Sequence, residues 1–209
     1  MGRQARPSIV KHAISGPTRS LRVVAVALAA VVTTVIVAAC GGGAASPTPP
    51  PGATNFEEFR TANCAAWESM FLAVGNPDTG SGSDRSHAFE DAIAGRDLAT
   101  ADLEAAAIRD ELETGRAHVA VAASWPPGAE PMAQLDRVLV AFEAYVEAER
   151  AAAGKGLSAA KQEAQAAFEA TGALEAWSLL LTPDTWAEVN AARPAGVQPE
   201  RCGDLPISF

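Results

Sequence analysis

From residue 55 onward, apolar side chains recur at intervals of three and four, the period of a helix with one buried face. Asn55 is placed to cap a first helix, with Glu58 reaching back to it, and the stripe Phe56, Phe59, Trp67, Met70, Phe71 and Val74 runs until Gly75-Asn76-Pro77 ends it. A Gly/Ser/Asp loop leads to Asp84, a candidate cap for a second segment that carries Phe89 and Ile93 and meets a bend or break at Gly95. The most regular pattern follows: Leu98, Ala101, Ala105, Ile108, Leu112, Gly115, Val119 and Ala122 alternate spacings of three and four. Such a seam packs one helix along another at a small crossing angle, and its Ala and Gly positions let the partner approach closely.

Trp125-Pro126-Pro127-Gly128 stops that helix, and Pro131 lies in the first turn of the next, where Met132, Leu135, Leu139, Phe142 and Val146 repeat the seam, widened by Val138 and Tyr145. Gly154-Lys155-Gly156 makes a turn into an alanine-rich helix from Ser158, with Leu157, Ala160, Ala164, Ala167 and Phe168 on its apolar side. Thr171-Gly172 bends it before Leu174, Trp177, Leu180 and Leu181 resume the stripe, and Thr182-Pro183 opens a short helix bearing Trp186 and Val189 that ends near Ala192. No stretch alternates with period two convincingly. Four long helical segments joined by short turns predict an all-α domain, an antiparallel four-helix bundle with one or two short extra helices, over residues 55–209.

The 39 residues ahead of Cys40 differ in kind. Arg3, Arg6, Lys11, Arg19 and Arg22 precede an uninterrupted apolar run, 23–39, that ends in small residues, the order of a secretory signal peptide. Val37-Ala38-Ala39-Cys40 resembles the lipobox of bacterial lipoproteins, whose Cys is acylated and becomes the first residue of the mature chain. The resemblance covers the leader alone. It implies a signal peptide over 1–39, a lipidated Cys40 followed by a Gly/Ser/Pro tether over 40–54, and a protein held by its lipid on the outer face of a bacterial membrane. An uncleaved anchor is the alternative, since 17 residues span ~26 Å of helix. Both readings leave the bulk of the chain outside the cytoplasm.

That address changes the reading of the other two cysteines. In an oxidising compartment Cys64 and Cys202 are expected to form a disulfide that brings the irregular tail, rich in Pro and Gly, back across the first helix. Neither has a second Cys or a His at ligand spacing, which leaves metal and redox roles without support.

Charge narrows the partners. The whole chain carries −9, yet five of its sixteen basic residues belong to the leader, so everything after it is more acidic still. Such a surface repels phosphate backbones, so no nucleic-acid partner is expected. It suits a basic protein of the cell envelope.

Candidate chemistry is sparse. His87 and His118 lack a Glu three residues ahead, so the helical di-iron motif is absent. Haem ligation by Met70 and His118 is disfavoured because His118 follows Thr114-Gly115-Arg116-Ala117, a charged stretch. No nucleophile elbow is present, and the Gly80-Ser81-Gly82-Ser83 turn lacks the Lys of a phosphate loop. Glu143 and Glu147 stand one turn apart but supply only two of the six oxygens that a hard cation needs, and Arg150 follows to offset their repulsion. No metal and no cofactor are expected.

An enzyme would require Arg109, Arg116, His118 and Glu143 to converge. Of four Trp (67, 125, 177 and 186), those on helix stripes read first as core; a pocket, if one forms, is expected around Asn63, Trp67, Gly115 and Trp177, where a polar amide and a missing side chain interrupt two apolar stripes. The chain therefore reads as a non-catalytic, lipid-anchored bundle with a protein-interaction or structural role in the envelope. The alternative is a bundle that binds or senses a small ligand.

Overall fold

A computed structural model describes residues 51–76, 80–197 and 202. The leader, Cys40 and most of the tether lie outside the described residues. Within them the fold is all-α: α1 (Phe56–Val74), α2 (Asp84–Gly95), α3 (Leu98–Ala123), α4 (Ala129–Ala152), α5 (Leu157–Ala170), α6 (Ala173–Leu180) and α7 (Ala187–Ala192), with 3-10 turns at Pro126–Gly128, Ala153–Lys155 and Pro183–Trp186. No described helix is long and apolar enough to cross a membrane.

The two unbroken helices, α3 and α4, pair antiparallel along the bundle. Their crossing is marked from end to end by Arg116–Asp136 (2.9 Å), Arg109–Glu147 (3.4 Å) and Arg150–Asp102 (2.7 Å). Each is flanked by a broken helix. Against α3 lie α1, antiparallel to its C-terminal half, and α2 beside its N-terminal half. Against α4 lie α5 and α6. The ring closes where Trp67 of α1 meets Trp177 of α6 edge-on, 5.8 Å between centroids, and where Lys161 of α5 pairs with Glu90 of α2 at 2.6 Å. Four antiparallel segments, two of them interrupted, thus form the bundle, with α7 added.

The breaks follow local chemistry. Gly75 takes φ +89°, and a Cβ there would collide with the backbone at Ser81 and Gly82. Ser83 then starts α2: its Oγ accepts from the Ser86 N–H and donates to the Ala73 carbonyl, joining the end of one helix to the start of the next. The cap is therefore Ser83 rather than Asp84, which occupies the first helical position. Helix α2 does end at Gly95, where Arg96 takes the left-handed conformation (φ +60°). At the head of α1, Asn55 caps Glu58 as expected, but the Glu58 carboxylate accepts from the backbone N–H and hydroxyl of Thr54 rather than from the Asn55 backbone N–H of a capping box. These bonds hold the Glu58 carboxyl below its usual pKa.

The α3 seam is buried at every predicted position except Leu98, which begins the helix and is 46% exposed. The α6 stripe is corrected. Ala173, Ala176 and Leu180 face the core, Trp177 is half-buried, and Leu174 and Leu181 point to solvent. Gly172, at φ +75°, interrupts the helix, and the segment after it packs through its small residues Ala173 and Ala176, one position round the helix from the larger Leu174 and Trp177.

The chain also joins the bundle earlier than the predicted boundary at residue 55. Ala53 is buried, its N–H donates to the Val121 carbonyl at 3.1 Å, and its carbonyl accepts from Ser124 Oγ. Beside it, Phe56, Phe59 and Trp125 form an aromatic cluster, with Phe59 and Trp125 at 5.0 Å. Gly128 sits against the Phe59 ring, so closely that a Cβ would overlap it.

Candidate functional site

The residues named as a pocket from sequence fall mainly into helix contacts. Gly115 is buried where α3 crosses α1: a Cβ would stand 3.3 Å from the Ala66 carbonyl oxygen and 3.3 Å from Ser69 Cβ. The missing side chain brings two helices together. Asn63 and Trp67, one turn apart on α1, are both buried, and neither the Asn63 amide nor the Trp67 indole N–H has a hydrogen-bond partner. Trp177 covers Trp67 on one side and on the other lines a groove of about 290 Å³ with Phe168 and Leu174. Trp125 and Trp186 are core, the latter donating to the Leu180 carbonyl at 2.8 Å.

Arg109, Arg116 and Glu143 do come together, without His118. They lie on the α3–α4 surface in a ladder of ion pairs, where Arg116 bonds Asp136 and Glu143 and Glu147 is shared by Arg109 and Arg150. Both members of the Glu143/Glu147 pair are thus engaged by guanidinium groups. His118 is on another face, in the groove where Ala53 and Thr54 dock. Among the described residues, no group of three or more His, Cys, Asp or Glu is placed to hold a metal ion. Cys64 and Cys202 are joined in a disulfide, which secures Cys202 to α1.

The cavity with chemical content lies elsewhere, at the end of α1 where α2, α4 and α5 meet. It measures about 410 Å³, within the range of small-ligand sites. Phe89, Ile108 and Val146, each 2% exposed or less, line it with the half-buried Phe142 and Tyr145; Gly80, Ser81 and His87 stand at its exposed rim. Into this cavity α4 delivers Glu149, 2% exposed, whose Oε1 has no hydrogen-bond partner. Its nearest charged neighbours across the cavity are Glu90 and Lys161, already bonded to each other.

Burial, and then the negative charge of Glu90, raise the Glu149 carboxyl to about 7, with Lys161 opposing. Burial raises the Tyr145 phenol to about 12, so it remains protonated at neutral pH. The cavity can therefore offer a phenol donor and a carboxyl group that gains or loses its proton near neutrality. A buried ionisable group left without a partner costs stability, and groups perturbed in this way cluster at functional sites.

Sequence reasoning did not name Glu149, although the signal was present. The α4 seam steps through Met132, Leu135, Leu139, Phe142 and Val146, and its next step lands on Glu149 and the one after on buried Ala153. A carboxylate at a seam position marks a site. Glu90 and Lys161 carry no such signal, because only packing brings α2 beside α5.

No protein-family model, curated protein or solved structure matches this chain.

Proposed function

We propose that this chain is a lipoprotein, anchored through Cys40 outside the cytoplasm, whose bundle binds a small molecule in the cavity at Glu149. The observation that carries the binding reading is the unpartnered, buried carboxyl of Glu149 in a cavity of about 410 Å³. A rigid bundle that served only as a spacer would have no use for that arrangement, and an apolar residue at the same seam position would be more stable. The reading is non-catalytic: one carboxyl and an ion pair provide recognition, and no activated nucleophile stands beside them.

The first described residues, Pro51 to Ala53, dock against the C-terminal end of α3, whereas the cavity lies at the far end of α1, about 28 Å along a helix of 19 residues.

Two measurements test the two halves separately. Metabolic labelling with an alkyne fatty acid should tag the expressed chain, and Cys40→Ser should abolish the tag; labelling that persists in this variant removes the anchor. For the cavity, the purified protein is screened for thermal stabilisation by a library of compounds under 250 Da at ~1 mM. Stabilisers whose effect is lost in Val146→Trp, which fills the chamber, support the reading. A library with no such compound sinks it.

A protein-interaction role is the second reading, favoured by Leu174 on α6 and Leu181 just past its end, 59% and 61% exposed. Crosslinking from position 174 in cells would detect it.

A further inference from the structure

The cavity does not treat all ligands alike. Of its charged groups, Lys161 on α5 is paired with Glu90 on α2 at 2.6 Å, so its positive charge is already balanced. Glu149 on α4 is left over, an acceptor without a donor. Once Glu149 is ionised, the chamber holds two carboxylates against one ammonium. His87, at the rim on α2, and the Tyr145 phenol on α4 are the other titratable groups that line it, and α3 contributes only Ile108. Asn76, Ser81 and Ser86 add neutral polar groups to the wall, and Phe89, Phe142, Tyr145 and Val146 give it an aromatic and aliphatic side. Rings attract a cation to their faces and also cover the apolar body of a ligand.

On the reading above that this cavity binds a ligand, we infer that its ligand is a small organic cation, an ammonium on an apolar body, whose N–H donates to Glu149 Oε1 while the body lies among Phe89, Phe142 and Tyr145. The ammonium would satisfy the buried acceptor that the fold leaves without a donor in this cavity. It would also balance the charge that Glu90 and Lys161 do not cancel. A neutral ligand does the first only partly, and an anion would face two carboxylates in a site of low dielectric.

The test uses the full chain in non-ionic detergent and isothermal titration calorimetry with three probes of nearly equal size: 2-phenylethylammonium, 2-phenylethanol and phenylacetate. The cation is expected to bind at least tenfold more tightly than either of the others at pH 8. Lowering the pH to 5.5 is expected to weaken the cation by tenfold or more, because Glu149 must give up a proton before it can accept the ammonium, and to leave 2-phenylethanol almost unchanged. In Glu149→Gln the preference for the cation should disappear. If that variant does not fold by circular dichroism, the pH arm on the unaltered chain decides.

Phenylacetate or 2-phenylethanol binding as tightly as the cation would overturn the inference and leave the cavity standing as a binding site. Cation affinity that rises on acidification would also overturn it. If none of the three binds at millimolar concentration while the compound screen finds cavity ligands that are neutral or anionic, the inference falls alone; if the screen is empty too, the binding reading falls with it.

Discussion

Lys161 Nζ on α5 stands 2.6 Å from Glu90 Oε2 on α2, joining two helices 71 residues apart in sequence beside the buried carboxyl of Glu149. The two partners act on Glu149 with opposite sign. Glu90 makes its ionisation harder and Lys161 makes it easier, while burial exceeds both. Several properties of the protein should follow from this one group.

Stability should fall as pH rises through the window in which Glu149 ionises. Its pKa goes from 4.5 to about 7 on folding, so the folded state holds the proton between those values while the unfolded state has lost it. The folded state is thus at no disadvantage below pH 4.5, loses stability progressively up to about pH 7 and carries the full cost above that. The upper bound is about 3 kcal/mol. Glu149→Gln should remove this slope and raise Tm more at pH 8 than at pH 5, measured by differential scanning calorimetry. An equal shift at both pH values would show that Glu149 keeps its ordinary pKa.

Asn63→Leu should stabilise the fold. The side chain is fully buried with neither amide atom bonded, so the folded state bears the desolvation of both groups without return. Leu has the same number of side-chain heavy atoms and the same branching, and has nothing to satisfy. A gain of about 1–3 kcal/mol in chemical denaturation is expected. A loss would mean that the amide has a bound partner, such as a buried water shared with the Trp67 indole one turn away.

Reduction of Cys64–Cys202 should lower stability strongly without unravelling the helices. The bond closes 138 residues, and the chain-entropy model assigns such a loop about 4–5 kcal/mol. The paired Cys64→Ala/Cys202→Ala variant should keep its helical circular dichroism at 20 °C while its denaturant midpoint falls. A midpoint unchanged from the oxidised protein would show that the crosslink restrains nothing in the unfolded chain.

Much of the fold was legible because helices are local. The seams at Ala101–Ala122 and Met132–Val146, the proline stops and the glycine turns all depend on residues within a few positions of one another, and each emerged where it was expected. The exceptions stand next to breaks. Leu174, Trp177 and Leu181 keep helical spacing after Gly172, yet the packed face of α6 is Ala173, Ala176 and Leu180, one position round the helix, and Ser83 rather than Asp84 caps α2 because its hydroxyl also reaches the Ala73 carbonyl of the preceding helix.

The candidate site divides along the same line. Asn63, Trp67, Gly115 and Trp177 interrupt helix stripes and drew attention for that reason, but the structure uses Gly115 for close approach of α1 and α3 and sets Trp67 against Trp177. Periodicity by itself determined that the chain folds into antiparallel helices, that α3 and α4 run unbroken, and that position 149 continues a buried seam. Only the tertiary structure decided that α2 and α5 stop short of filling the space above Glu149, and that Glu90 and Lys161 meet beside it. Spacing along a helix says which side chains face inward; whether the partner helix supplies an atom to meet them depends on residues far away in the chain, and no local pattern records that.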